Sequence, residues 1–191
     1  MKSIKKELEY KYLINKSEFI SVIKYIDDVN DVDLFIDELK KRYKDATHYC
    51  YAYIINNYKK CSDDKEPQGT AGLPILNVLE KNELTNVVCV VIRYFGGIKL
   101  GAGGLTRSYS KSVSDNLIEN KDSIGDIIDG YELDVEVSYS KQSIFEYKYK
   151  NIINKEFNDN IIYKINVDSK EKEELENTYN IINVKEKKII Y

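Results

Sequence analysis

Tryptophan is absent from the 191 residues, and histidine, methionine and proline occur once, once and twice. The three cysteines, Cys50, Cys61 and Cys89, are odd in number and show no C-x-x-C spacing. That argues against a disulfide framework and against a structural zinc site. No apolar run approaches the roughly 20 residues needed to span a bilayer, and the opening MKSIKKELEY has no apolar signal core. A cytoplasmic, soluble protein without a membrane partner is expected. The formal net charge is −3, so the chain as a whole is no polycation. Nucleic-acid binding would need a local basic patch, and sequence readout of DNA is not expected. Neither G-x-x-x-x-G-K-[ST] nor G-x-G-x-x-G occurs, so no nucleotide motif is present and no cofactor is expected.

What is present is enough for a real core. Hydrophobic residues make up 42% of the chain, and its length suits one large domain or two small ones, since domains most often run to about 100–150 residues. The 17 tyrosines accompany abundant Lys, Ile and Asn, a composition bias that gives individual tyrosines little functional weight. Glycine is the informative residue. Of nine, seven fall between Gly69 and Gly104, within SDDKEPQGTAGLPIL (Ser62–Leu76) and IRYFGGIKLGAGGLTR (Ile92–Arg107). Glycine lets backbone adopt φ > 0 or approach another group closely, so these loops mark one specialised surface.

Periodicity orders the rest. Leu8, Tyr10, Tyr12 and Ile14 alternate as in a half-buried strand, and Phe19–Ile26 reads as its hairpin partner. Val32, Phe35, Ile36, Leu39 and Tyr43 form one helical face, with Asp31 and Asp33 in the first turn and Lys40, Lys41 and Arg42 in the last. Thr47–Ile55 is a strand with Tyr49, Tyr51 and Tyr53 on one side; Asn56–Gly72 is a polar loop; Pro74 opens a short helix. Val87–Ile92 suits a strand buried on both faces, and Gly96–Gly104 is a loop leading to a helix with Leu105, Tyr109, Val113 and Leu117 on one stripe. The pattern resets near Ile124–Gly130. An α+β protein of two domains follows: residues 1–124, a linker at 125–130, and a β-α-β-β-α-β domain at 131–191, the order of a ferredoxin-like fold. Asp168 and Glu171 resemble a capping box on its second helix.

The chemistry concentrates in the loops. From Leu84 to Ser114 there is no Asp or Glu, whereas Arg93, Lys99, Arg107 and Lys111 supply four positive charges. A glycine loop entering a helix exposes unpaired N–H groups, and the helix N-terminus favours an anion. Arg93, Gly96, Gly97, Lys99, Gly101, Gly103, Gly104 and Arg107 are therefore candidates to bind a phosphate-bearing ligand, with Gly69 and Thr70 as further donors. The same glycines would also serve a tight strand-to-helix connection. Asp63, Asp64 and Glu66 suit either Mg²⁺ with its waters or an acidic turn that caps or pairs with the basic loop. Adjacent Asp63 and Asp64 diverge in extended chain, which favours the turn and leaves no metal assigned. His48 is either a general base or a hydrogen-bonded strand histidine; a Cys61–His48–Asp63 triad has no supporting spacing, and no catalytic residue is assigned. Tyr49, Tyr51 and Tyr53 could stack bases or lie under the Val32–Tyr43 helix. Two classes of function stand: a binding module, and an enzyme acting on a phosphorylated small molecule or nucleotide in the same cleft. The lack of an evident nucleophile or base pair favours binding.

KSEFI (Lys16–Ile20), DATHYCYAY (Asp45–Tyr53), SDDKEPQGTAGLPIL and VVIRYFGGIKLGAGGLTRSY (Val90–Tyr109) together resemble the IMPACT/YigZ family. The resemblance implies an N-terminal α/β domain with the fold of the second domain of a small-subunit ribosomal protein, shared with domain IV of elongation factor G and the GHMP kinases. It also implies a ferredoxin-like C-terminal domain similar to domain V of that factor. Eukaryotic relatives regulate translation, so RNA, the ribosome or a protein of the translation machinery is the implied partner. Three positions depart from the family pattern: Glu18 stands for Arg, Lys65 for Gly and Ser108 for Ala. The opposite signs of the first two predict that Glu18 and Lys65 lie close, and Lys65 brings into question a φ > 0 turn at that point.

Overall fold

The alternating residues near the start of the chain pair as expected in the computed structural model, which describes every residue from Met1 to Tyr191. After a short β1 (Lys2–Ile4), β2 (Leu8–Ile14) and β3 (Ser17–Tyr25) form an antiparallel hairpin. Asn15 and Lys16 between them have φ of 46° and 62°, the double positive φ that a two-residue turn needs to match strand twist. Helix α1 (Asn30–Arg42) buries Val32, Phe35, Ile36 and Leu39, the predicted face. Strand β4 (His48–Ile55) then turns through Asn56 (φ 51°) into β5 (Tyr58–Ser62). That fifth strand falls inside the expected polar loop. It lies at the sheet edge with Tyr58, Lys59 and Lys60 exposed, so it carries no apolar alternation. Helix α2 (Gly72–Lys81), β6 (Val87–Tyr94) and α3 (Gly101–Glu119) follow. Pro74 is the third helical residue of α2 rather than the first, still within the turn that tolerates its missing N–H.

The sheet order is β2-β3-β6-β4-β5, antiparallel throughout. Central β6 is apolar on both faces because both are covered. Val87, Cys89 and Val91 pack with Ile75, Leu79, Leu105 and Tyr109 of α2 and α3, while Val88, Val90 and Ile92 pack with Phe35 and Leu39 of α1. Tyr49, Tyr51 and Tyr53 belong to the α1 side, so that row supports a helix and is no open stacking surface. On the other side, Asn116 of α3 donates to the Ser21 carbonyl at 2.9 Å, and the Ser21 hydroxyl donates to the Ser112 carbonyl at 2.9 Å. These buried polar groups interrupt the apolar stripe and satisfy one another.

The chain divides into two compact units, Met1–Asp126 and Ile127–Tyr191. The expected linker at 125–130 is instead part of β7 (Ile124–Val137), whose first residues pair with β1. Gly130 signals close packing: a Cβ there would stand 2.6 Å from Ile189 Cδ1 and 2.8 Å from the Val167 carbonyl oxygen. The second unit continues with α4 (Gln142–Lys148), β8 (Ile152–Phe157), β9 (Ile161–Val167), α5 (Ser169–Thr178) and β10 (Asn180–Ile190), in the antiparallel order β10-β7-β9-β8. Phe145 centres its core, with ring centroids 4.6 Å from Tyr163 and 5.2 Å from Tyr179. The capping box forms, the Glu171 N–H donating to Asp168 Oδ1 at 2.8 Å. No helix in either unit is long and apolar enough to cross a membrane.

Candidate functional site

Five strand ends meet at one end of the first unit's sheet: the starts of β3 and β4 and the ends of β2, β5 and β6. The backbone there is tied together by short bonds. The Phe95 N–H donates to Thr47 Oγ1 at 3.0 Å, the Thr47 N–H to the Arg93 carbonyl at 2.8 Å, and the Gly96 N–H to Ser17 Oγ at 3.1 Å. Gly96 lies against the β2–β3 turn, where a Cβ would fall 2.0 Å from the Lys16 carbonyl carbon. Its role is this close approach, and it is not free for a ligand. The same contact brings Lys16, which spacing did not single out, beside the glycine loop.

The two glycine loops are joined by a buried ion pair. Arg93 Nη1 donates to Glu66 Oε1 at 2.5 Å, and the residues are only 4% and 8% exposed. The same Oε1 accepts the Tyr109 hydroxyl at 2.8 Å and lies 3.8 Å from His48 Nε2. Burial drives the Tyr109 phenol far above its ordinary range, so it stays protonated, donating to Glu66 and accepting from the Cys50 thiol at 3.3 Å. The Arg93 guanidinium also lies over the rings of Phe19 and Phe95, at 5.3 and 5.4 Å. Arg93, expected to face a phosphate, is therefore the internal counter-ion of Glu66.

The acidic turn is equally engaged. Asp63 Oδ1 accepts the N–H groups of Ala71 and Gly72 at 3.0 and 2.8 Å, and Oδ2 accepts that of Gly69 at 2.8 Å. It caps α2 from outside the helix. Burial pushes the Asp63 carboxyl up, but the donors from Gly69, Gly72 and Ala71 outweigh it and hold it below the ordinary value. Asp64 Oδ2 accepts the Tyr49 N–H at 2.7 Å, and the Thr70 hydroxyl donates to the Pro67 carbonyl at 2.6 Å. Asp63, Asp64 and Glu66 thus address three different partners and do not converge as an accessory acidic site. Gly69 and Thr70 do not serve as outward donors either, because both are engaged inside the turn. His48 Nδ1 contacts the Asp64 carbonyl at 2.7 Å, which separates it from the Asp63 carboxylate that a triad would require. Burial raises the Cys50, Cys61 and Cys89 thiols, the opposite of nucleophile activation.

The second loop presents its groups outward. Gly97 and Gly101 have φ of +84° and +69° with nothing within 4 Å of a Cβ position. Lys16, Lys99 and Arg107 are exposed and take part in no ion pair, whereas Lys11 pairs with Glu18 at 2.8 Å and Lys111 with Asp115 at 2.9 Å. No side chain caps α3 and its first turn holds no acid. The Arg107 guanidinium folds back over that turn, its Nη1 lying 3.4 Å from a Cβ position on Gly103. Gly104, by contrast, is held 3.0 Å from Leu100 Cβ and serves packing. The expected Glu18–Lys65 exchange does not occur, since the partner of Glu18 is Lys11. Lys65 nevertheless holds φ +67°, so the left-handed turn survives without its glycine. The polar anchors Ser17 and Thr47, together with Phe95 and Tyr109, were not legible as site residues; Lys16 and Ser17 were visible only inside the KSEFI motif.

Residues 15–117, more than half of the chain, match the Impact N-terminal domain. The chain is 47% identical over 118 residues to the IMPACT family member YvyE of Bacillus subtilis (strain 168), covering 60% of this chain and 54% of that protein. It is 37% identical over 109 residues to the IMPACT family member YigZ of Escherichia coli (strain K12), covering 54% and 53%. The chain thus spans about half the length of the curated relatives it matches. A solved crystal structure described as that of an hypothetical protein shares the fold, with TM-score 0.64 at 23% identity over 96% of this chain and 97% of that one.

Proposed function

The chain belongs to the IMPACT family, and on that premise we propose that it is a cytoplasmic, translation-linked binding protein that engages RNA, the ribosome or a partner in the translation machinery. The contact surface is the Phe95–Gly104 loop with Lys16 and Arg107. One observation carries this reading: Lys16, Lys99 and Arg107 have no carboxylate partner, Lys99 and Arg107 flank an uncapped helix start, and every acid of the neighbouring turn is engaged internally. A phosphate backbone supplies the negative charge and acceptors that such a surface lacks. We assign the first unit to the ribosomal-protein second-domain fold named by the family resemblance. The second unit, with its β10-β7-β9-β8 order, we assign to the ferredoxin-like fold. The second unit is the weaker polyanion binder, since Glu132 of its sheet pairs with Lys187 at 2.9 Å and Asp134 with Lys164 at 3.6 Å.

The test is binding of RNA and ribosomes by the full chain across a salt series, with Arg107→Glu alongside. Affinity should fall steeply with salt, and the variant should bind weakly with a shallower slope while unfolding at the same temperature. Undiminished binding by the variant would refute the assignment of this loop. No observation favours the phosphorylated-small-molecule enzyme over this reading, because the carboxylates that it required are bound to backbone and to Arg93.

A further inference from the structure

Phe95 is the most distinctive exposed group on this surface. Its residue is 44% accessible, yet it is held firmly: its N–H is fixed by Thr47, and the following Gly96 is pinned against Lys16 and Ser17. The ring lies 5.4 Å from the Arg93 guanidinium, which is itself buried, paired to Glu66 and backed by Phe19 at 5.3 Å. A paired, planar guanidinium lying over an aromatic ring supports one face of that ring. Ile98, 45% exposed, follows in the same loop. The same loop carries Lys99, its Gly96 meets the Lys16 backbone, and Arg107 folds over Gly103, with no carboxylate in the sequence from Leu84 to Ser114.

An exposed apolar ring on an anchored backbone, in a loop whose cations are unpaired, is poorly explained by phosphate binding alone. Phosphate needs charge and donors, and gains nothing from an exposed phenyl ring. A duplex hides its base faces inside the stack and cannot use the ring, whereas an unpaired nucleotide offers a base face together with a phosphate within reach of the cations. We propose that Phe95 is a stacking platform for an unpaired base, and that the loop selects single-stranded RNA over duplex and over base-free polyanions. The inference rests on the polyanion reading above and narrows its ligand class.

The chain has no tryptophan but 17 tyrosines, so Phe95→Trp, excited selectively over tyrosine, places a single tryptophan reporter at the platform while keeping an aromatic ring. Titrating the full chain with a short single-stranded RNA should quench that emission. An abasic strand of equal length and charge, the corresponding duplex, and poly-glutamate should not. In parallel, Phe95→Leu should weaken single-stranded RNA binding by about five- to a hundredfold and abasic-strand binding far less, with thermal unfolding confirming that the variant is folded. Equal affinity of the unaltered protein for RNA and abasic strand would overturn the proposal while leaving the polyanion reading intact. Equal losses for both ligands in Phe95→Leu, or quenching by poly-glutamate, would overturn it in the same way. Absence of binding to every polyanion at low salt would sink both readings.

Discussion

Two glycine-bearing loops meet at the same end of one sheet and use their polar groups in opposite directions. In the Asp63–Gly72 segment, Asp63, Asp64, Glu66, Gly69 and Thr70 all find partners inside the protein. In the Phe95–Gly104 segment, the backbone is anchored only at its entrance, by Thr47 and Ser17, while Lys99 and the turn at Gly97 and Gly101 face solvent. Both contain glycine and run into a helix, although the first is rich in acids and the second has none. The difference is whether a carboxylate reaches the helix start: α2 is capped by Asp63, and α3 has no side-chain cap. A closed loop of this kind is a brace, and an open one is a surface.

The most severe way to break the brace is to remove one side of its buried pair. Glu66→Ala leaves Arg93 charged and buried, and should destabilise the first unit by about 3–5 kcal/mol in urea unfolding. An effect below that of an ordinary surface change would mean that the pair does not hold the loops together. Asp63→Ala removes the acceptor of three N–H groups and should cost about 1–2 kcal/mol. The same carboxyl gives the comparison a pH signature. Its folded value lies below the ordinary 3.8, so its contribution is complete above the ordinary carboxylate range and is lost as pH falls through the folded value. Stability of Asp63→Ala should therefore converge on that of the parent chain in acid, and a constant gap from neutral to acid pH would contradict the cap. Lys65→Gly should move the other way. It releases a lysine from φ +67° and should raise stability by up to about 1 kcal/mol; no gain in denaturant midpoint would show that the turn carries no strain. The smallest stability effect belongs to the open loop, where Lys99→Glu should stay within about 0.5 kcal/mol while reducing the magnitude of the salt slope of RNA binding by about 1. Loss of stability there would blur the distinction between brace and surface.

Much of this architecture was legible in advance. The β2–β3 hairpin, the buried face of α1, the apolar β6, the Leu105–Leu117 stripe and the Asp168–Glu171 box are local patterns, set by spacings of two, three or four residues. Edge strand β5 was not, because its exposed residues have no need to alternate, and Gly130 misled because close packing and a linker both select glycine. In the site, Lys99, Arg107, Gly97 and Gly101 were found by charge and glycine content and are indeed exposed. Arg93 was found by the same signal and is buried.

By itself the sequence determined most of the strands and helices, that two loops are unusual, and that one of them is free of acidic residues. Only the tertiary structure decided which charges are available to a partner. Arg93 and Lys99 are equivalent as letters in a basic stretch, but β6 pairs the first with Glu66, and the loop leaves the second exposed and outside any ion pair. Availability depends on distances between groups far apart in the chain: 27 residues separate Arg93 from Glu66 and 43 separate Tyr109 from it. Coulomb attraction and desolvation act through space, so no local pattern contains that information.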